Sequence, residues 1–174
     1  MIHKIRQSWN KHFLGLQLFL SVLAGILFLS SAILFNGSAV VNSVLNGNRS
    51  AIYSTLASVF GSLLGFVITA LSIIIGYSTN EKFEFLRKSV HYSTLWQVLI
   101  STIKALSFAT VVMLLGLVLD RDNPSKILIV NSNIIYILLL TIHFLSIIAI
   151  VLSIFRLGSC IWVLENVVKL IIGI

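Results

Sequence analysis

Charge is scarce in this chain, and that scarcity decides its class. Of 174 residues only 10% are charged and 58% are hydrophobic, and the mean hydropathy is +1.07. A water-soluble domain needs roughly 25% charged residues to cover its surface, so the apolar excess here must face lipid. Acids are the rarest charges, five against twelve bases, for a net charge of +7. All five (Glu81, Glu84, Asp120, Asp122 and Glu165) fall in loops or in the tail. Paired carboxylates inside the membrane are therefore missing, and with them a common means of acid–base chemistry and of proton-coupled transport. One cysteine, Cys160, excludes an intrachain disulfide and a thiolate metal cluster. The single proline, Pro124, sits in a polar loop and interrupts no apolar run. No internal repeat is evident, which argues against a transporter built from inverted halves.

What is present is four apolar runs, at 13–35, 51–77, 95–119 and 134–156. Each reaches the ~20 residues a helix needs to cross ~30 Å of hydrocarbon. Helices are the only open-chain solution there, because unpaired backbone groups in lipid cost several kcal/mol each. Turn-forming stretches separate the runs: Asn36-Gly37-Ser38 and Asn46-Gly47-Asn48 in the first loop, Asp120-Arg121-Asp122-Asn123-Pro124 in the third. The bases set an expected orientation. Lys4, Arg6 and Lys11 precede the first run, Lys82, Arg87, Lys88 and Lys104 flank the middle loop, and Arg156 and Lys169 lie toward the C-terminus. Only Arg49, Arg121 and Lys126 fall in the other two loops. By the positive-inside rule both termini and the middle loop, 78–94, face the cytoplasm.

The expected fold is an all-α integral membrane protein forming one membrane domain over 1–174. It has four transmembrane helices, a basic amphipathic N-terminal segment (1–12) and an interfacial C-terminal helix (157–174). A cleaved leader fits less well, because the first run is longer than the 7–15 residues of a signal core, although Ser30-Ser31-Ala32 resembles a cleavage site. A fifth span in the tail would carry Glu165, Asn166 and Lys169 mid-segment, at ~3 kcal/mol per central charge. Lying along the surface is the cheaper arrangement, with Glu165 and Lys169 one turn apart. The sequons Asn36-Gly37-Ser38 and Asn48-Arg49-Ser50 are short enough to arise by chance.

The second run carries the most informative pattern. Ser54, Ser58, Ser62, Gly65, Thr69, Ser72 and Gly76 recur at steps of three and four. At about 100° per residue they share a sector of roughly 80° on one helical face. Gly61 adjoins that face and forms a Gly-x-x-x-Gly pair with Gly65. The opposite side carries Phe60, Leu64, Val67, Leu71 and Ile74, which suit lipid or an apolar neighbour. Two uses of the stripe compete. Small residues let helices approach closely, with hydroxyls adding modest interhelical bonds; alternatively, hydroxyls and glycines line a lumen once several copies surround an axis.

Other candidates carry a structural reading beside a functional one. His143, near the middle of the fourth run, is either a proton relay or gate, or an imidazole bonded to Thr141, Ser146 or a neighbouring helix. No second ligand lies near it, so no metal is expected. Gln17 in the first run fits one interhelical hydrogen bond. Trp9, Tyr53, Tyr77, Tyr92 and Trp96 fit interfacial anchors, and Lys104 can snorkel to the near surface. Ile2, Ile5, Trp9 and Phe13 alternate with Lys4, Arg6 and Lys11 as in a surface helix suited to an anionic leaflet. In the middle loop, Lys82, Arg87, Lys88 and His91 either enforce topology or receive phosphate through charge-assisted bonds. Catalysis is not expected: Gly-x-Ser-x-Gly, His-Glu-x-x-His and a phosphate loop are all missing. No cofactor is expected either.

The run Gly65-Phe66-Val67-Ile68-Thr69-Ala70-Leu71-Ser72-Ile73-Ile74, with Leu86-Arg87-Lys88-Ser89-Val90-His91-Tyr92, resembles small bacterial membrane proteins of anti-phage modules, the Hailong-type membrane effector among them. It covers mainly the second and third spans. The resemblance implies an oligomeric ion channel, partnered with a nucleotidyltransferase and gated by an oligonucleotide made by that soluble enzyme. The resulting expectation is a homo-oligomeric, channel-like effector of the bacterial inner membrane, gated by an anionic cytoplasmic signal. The alternative is a non-conducting anchor, sensor or bacteriocin-immunity protein that uses the stripe to pack against a partner.

Overall fold

The structure, a computed structural model, describes residues 2–34, 48–78, 84, 90–121 and 132–172, with the side chains of 13–31, 48–76, 84, 92–119, 138 and 140–166. The described residues form four long helices: α1 (Ile2–Leu34), α2 (Arg49–Ser78), α3 (Val90–Arg121) and α4 (Ser132–Ile172). Each contains a stretch long and apolar enough to cross a membrane, namely Phe13–Ser31, Arg49–Gly76, Tyr92–Leu119 and Leu140–Asn166. The chain is thus an integral membrane protein with four spans. Asn48 opens α2, its carbonyl accepting the Ile52 N–H at 2.9 Å, as befits a residue type favoured at helix caps.

The helices form an open row rather than a closed bundle. α1 packs on α4, α4 on α3, and α3 on α2. Burial follows from that order: 44% of the α3 span and 39% of the α4 span are buried, against 17% for α1 and 11% for α2. The core runs along α3, with Leu95, Leu99, Leu106 and Met113 fully enclosed. Phe60 and Val67 of α2 pack into it, flanked by Leu64, Leu71 and Ile74. The apolar side of the second span thus meets a neighbouring helix.

Two glycines set the closest approaches. A Cβ on Gly25 of α1 would stand 2.6 Å from Ile148 and 2.9 Å from Phe144 of α4. A Cβ on Gly116 of α3 would stand 2.6 Å from the Tyr53 ring of α2. Both pairs lie toward the end of the row away from the termini, here the loop end. Contacts of Gln17 with α4 lie nearer the chain's two ends, here the terminal end.

α4 is one continuous helix of 41 residues, about 60 Å long at 1.5 Å per residue, with no break near 157. Ser159, Cys160 and Val163 are buried, and the side chains beyond Asn166 lie outside the described residues. The inward face of α4 continues through Ser153, Arg156, Cys160 and Val163, and Gly158 falls on its exposed side without ending the helix. α1 is likewise unbroken from Ile2, its amphipathic and spanning parts being one helix of 33 residues.

Candidate functional site

The packing of α2 decides where its small-residue stripe points. Tyr53, Ala57, Phe60 and Val67 occupy the inner side. At about 100° per residue that turns Ser58, Ser62, Gly65, Thr69, Ser72 and Gly76 to the surface of the chain, where all six are exposed, while Ser54 and Gly61 are half-buried at its margin. Among the described residues, a Cβ on Gly61, Gly65 or Gly76 would meet nothing within 4 Å. Larger apolar side chains flank the stripe, with Phe66 (71% exposed) and Ile73 on one side and Ile68 and Ile75 on the other. The result is a shallow groove floored by glycine and hydroxyl groups along a lipid-facing helix.

The hydroxyls are partly satisfied within the helix. Ser54 Oγ donates to the Ala51 carbonyl at 3.0 Å, Thr69 Oγ1 to Gly65 at 2.9 Å and Ser72 Oγ to Ile68 at 2.9 Å. Such bonds use the donor and leave oxygen lone pairs facing outward. The groove can therefore lie dry against a helix or wet against water.

A second polar group, buried this time, ties α1 to α4 toward the terminal end. Gln17, 6% exposed, donates its Nε2 to Ser159 Oγ at 2.6 Å and, at 3.4 Å, to the Phe155 carbonyl. Ser21 Oγ donates to the Gln17 carbonyl at 2.7 Å. Arg156, 5% exposed, donates Nη2 to the Leu14 carbonyl at 2.9 Å, while Thr102 Oγ1 of α3 reaches the Arg156 carbonyl at 3.3 Å. The Arg156 Nε and Nη1 are buried with no acceptor among the described residues. A guanidinium within a span costs roughly 3 kcal/mol on insertion scales, and one charge-assisted bond returns roughly 1.5–3 kcal/mol. The two nearly cancel.

Sequence reasoning treated Arg156 as a topology charge at the end of a span. The signal that could have placed it is the recurrence of Ser146, Ser153, Arg156 and Ser159 at steps of seven, three and three, a polar line along α4 like the one on α2. His143 is half-buried, and its ring meets Tyr53 of α2 edge-on at 6.0 Å. Ser146 gives its hydroxyl to the Ile142 carbonyl. No group of three or more metal-ligating side chains occurs among the described residues. The side chains of Lys4, Arg6, Lys11, Lys82, Arg87, Lys88 and His91 lie outside the described residues. The structure brings the α2 stripe together along one face and sets Gln17 and His143 apart from it, toward opposite ends of α4.

No family model, curated protein or solved structure matches the chain. The α2 groove and the buried polar group are thus the features from which a function is to be read.

Proposed function

We propose that the protein acts as a homo-oligomeric, channel-like effector in a bacterial inner membrane, with copies meeting through the outward face of α2. What supports the reading is one observation: glycines and hydroxyls occupy the exposed side of a helix whose other side is already packed. Lipid alone gives no reason to place Ser58, Ser62, Gly65, Thr69 and Ser72 together on that side, whereas close helix approach or a wet lumen does. With the oxygen lone pairs of Ser54, Thr69 and Ser72 outward, a ring of such faces offers acceptors to water and cations. The bases of the N-terminal segment and middle loop (Lys4, Arg6, Lys11, Lys82, Arg87, Lys88) and His91 give an anionic cytoplasmic signal somewhere to act. Its identity as an oligonucleotide from a partner enzyme, and a role in phage defence, rest on the resemblance of the second and third spans to Hailong-type effectors.

The test is ion flux from liposomes containing the purified chain, with and without anionic small molecules from the host lysate. Flux should be lost when Ser58, Gly65 and Thr69 are replaced by leucine, while helicity is retained, since all three are exposed on that face. Unchanged flux in the leucine variant would remove α2 from the conducting wall. A second reading draws on the inward bonding of Ser54, Thr69 and Ser72, which lets the groove pack dry. In it the protein is a non-conducting anchor or immunity protein that grips a partner helix. An inserted, oligomeric but silent protein under every condition would favour it.

A further inference from the structure

α1 and α3 both lean on α4 near the terminal end but make little contact with each other. Between them lies a cleft of about 320 Å³ lined by Leu14 of α1 and by Trp96, Gln97, Ile100, Ser101 and Lys104 of α3. It is at the small end of the ~300–1,000 Å³ usual for ligand pockets. Gln97, Ser101 and Lys104 follow one another at steps of four and three, which stacks an amide, a hydroxyl and an ammonium on one helical face. Leu14, Ile100 and the Trp96 indole, held edge-on by Tyr92 at 6.1 Å, make the apolar walls. We propose that this cleft holds the headgroup of an anionic phospholipid.

Three observations carry the proposal. First, the polar side chains are unspent. Thr102 and Thr110 on the same helix donate to the Val98 and Leu106 carbonyls at 2.7 and 2.9 Å. Gln97, Ser101 and Lys104, by contrast, make no hydrogen bond or ion pair among the described residues. Second, the electrostatics favour an anion. No carboxylate is among the described residues that line the cleft, and Arg156, whose Nη2 donates to the carbonyl of the same Leu14 that forms one wall, is a buried cation adjoining that wall. Third, the position suits a lipid and not a freely dissolved ion. The cleft lies beside Leu14, at the start of the span Phe13–Ser31, and along the terminal-end half of the span Tyr92–Leu119. An acyl chain can continue past Lys104 along the exposed Phe108 and Val111 of α3, while the Lys104 stem lets its ammonium rise toward the phosphate. Phosphate oxygens accept from all three polar side chains, and charge-assisted bonds are the strong ones. This inference is independent of whether the protein conducts.

The experiment is native mass spectrometry and thermal unfolding of the full chain in a neutral detergent. The probes are dioctanoyl phosphatidylglycerol, dioctanoyl phosphatidylcholine and, separately, glycerol 3-phosphate. Phosphatidylglycerol should be retained and raise the melting temperature, while the choline lipid is lost. Lys104→Gln should weaken retention about tenfold or more, the loss of a charge-assisted bond, and Lys104→Arg should restore most of it. Ser101→Leu should narrow the cleft and abolish retention. Equal retention of the two lipids, or wild-type retention by Lys104→Gln, would overturn the site. Should glycerol 3-phosphate bind as tightly as the lipid, the site reads a soluble phosphate and the lipid assignment fails. The Gln and Arg variants decide the matter even if the leucine variant does not fold.

Discussion

Replacing Gly116 by alanine isolates the packing of α2 on α3. The added Cβ would stand 2.6 Å from the Tyr53 ring, and contacts this tight ease only beyond 3.4 Å, so the ring must retreat by about 0.8 Å. It has little room: Tyr53 is buried and its ring meets His143 at 6.0 Å. Overpacking of this kind costs roughly 1–3 kcal/mol. Alanine also relieves the glycine penalty in a helix interior, about 1 kcal/mol, so a single measurement would mix two effects of opposite sign. Gly158→Ala separates them, because Gly158 is exposed on α4 and its Cβ would meet nothing within 4 Å. Helix propensity cancels between the two variants and the clash remains. Equilibrium unfolding in mixed micelles, followed by helical circular dichroism, should place Gly116→Ala about 1–3 kcal/mol below Gly158→Ala. Equal stabilities for the two variants would mean that Tyr53 does not sit against α3 as described.

Two further outcomes follow from the α4 packing. Cys160 is a free, buried thiol, so a membrane-permeant maleimide should label it slowly in the folded protein and at least tenfold faster after unfolding. Rapid native labelling would mean that Cys160 is not enclosed as described. Arg156→Met removes one charge-assisted bond and one buried cation, terms of about 1.5–3 and about 3 kcal/mol that oppose each other. Its unfolding free energy in neutral detergent should therefore stay within about 1.5 kcal/mol of the wild type. A loss of 3 kcal/mol or more would show that the guanidinium has further acceptors.

How much could be read from the residues alone differs from feature to feature. The second run announced a stripe, because glycine and hydroxyl side chains contrast with their apolar surroundings and repeat at the helical step. It did not announce which way the stripe points. Phe60 and Val67 are as compatible with lipid as with a core, and only their contacts with α3 turned the stripe outward. Gln17 was visible as a polar residue in an apolar run, but its partner Ser159 lies 142 positions away. The burial of Arg156 was not legible, for a related reason. A base near the end of an apolar run reads as a topology signal, and its enclosure depends on α1 and α3 closing over it.

Length and hydropathy by themselves determined that this chain crosses a membrane four times as helices, because backbone groups in hydrocarbon must be satisfied within the segment that carries them. The charge distribution set an expected orientation on the same local grounds. Tertiary structure alone decided the order α1–α4–α3–α2, the outward groove on α2, the cleft between α1 and α3, and the run of α4 past residue 157. In lipid, a helix side that packs and a side that faces acyl chains are equally apolar, so hydrophobicity does not separate them. The choice falls instead to close approach at Gly25 and Gly116 and to a few polar bonds between helices.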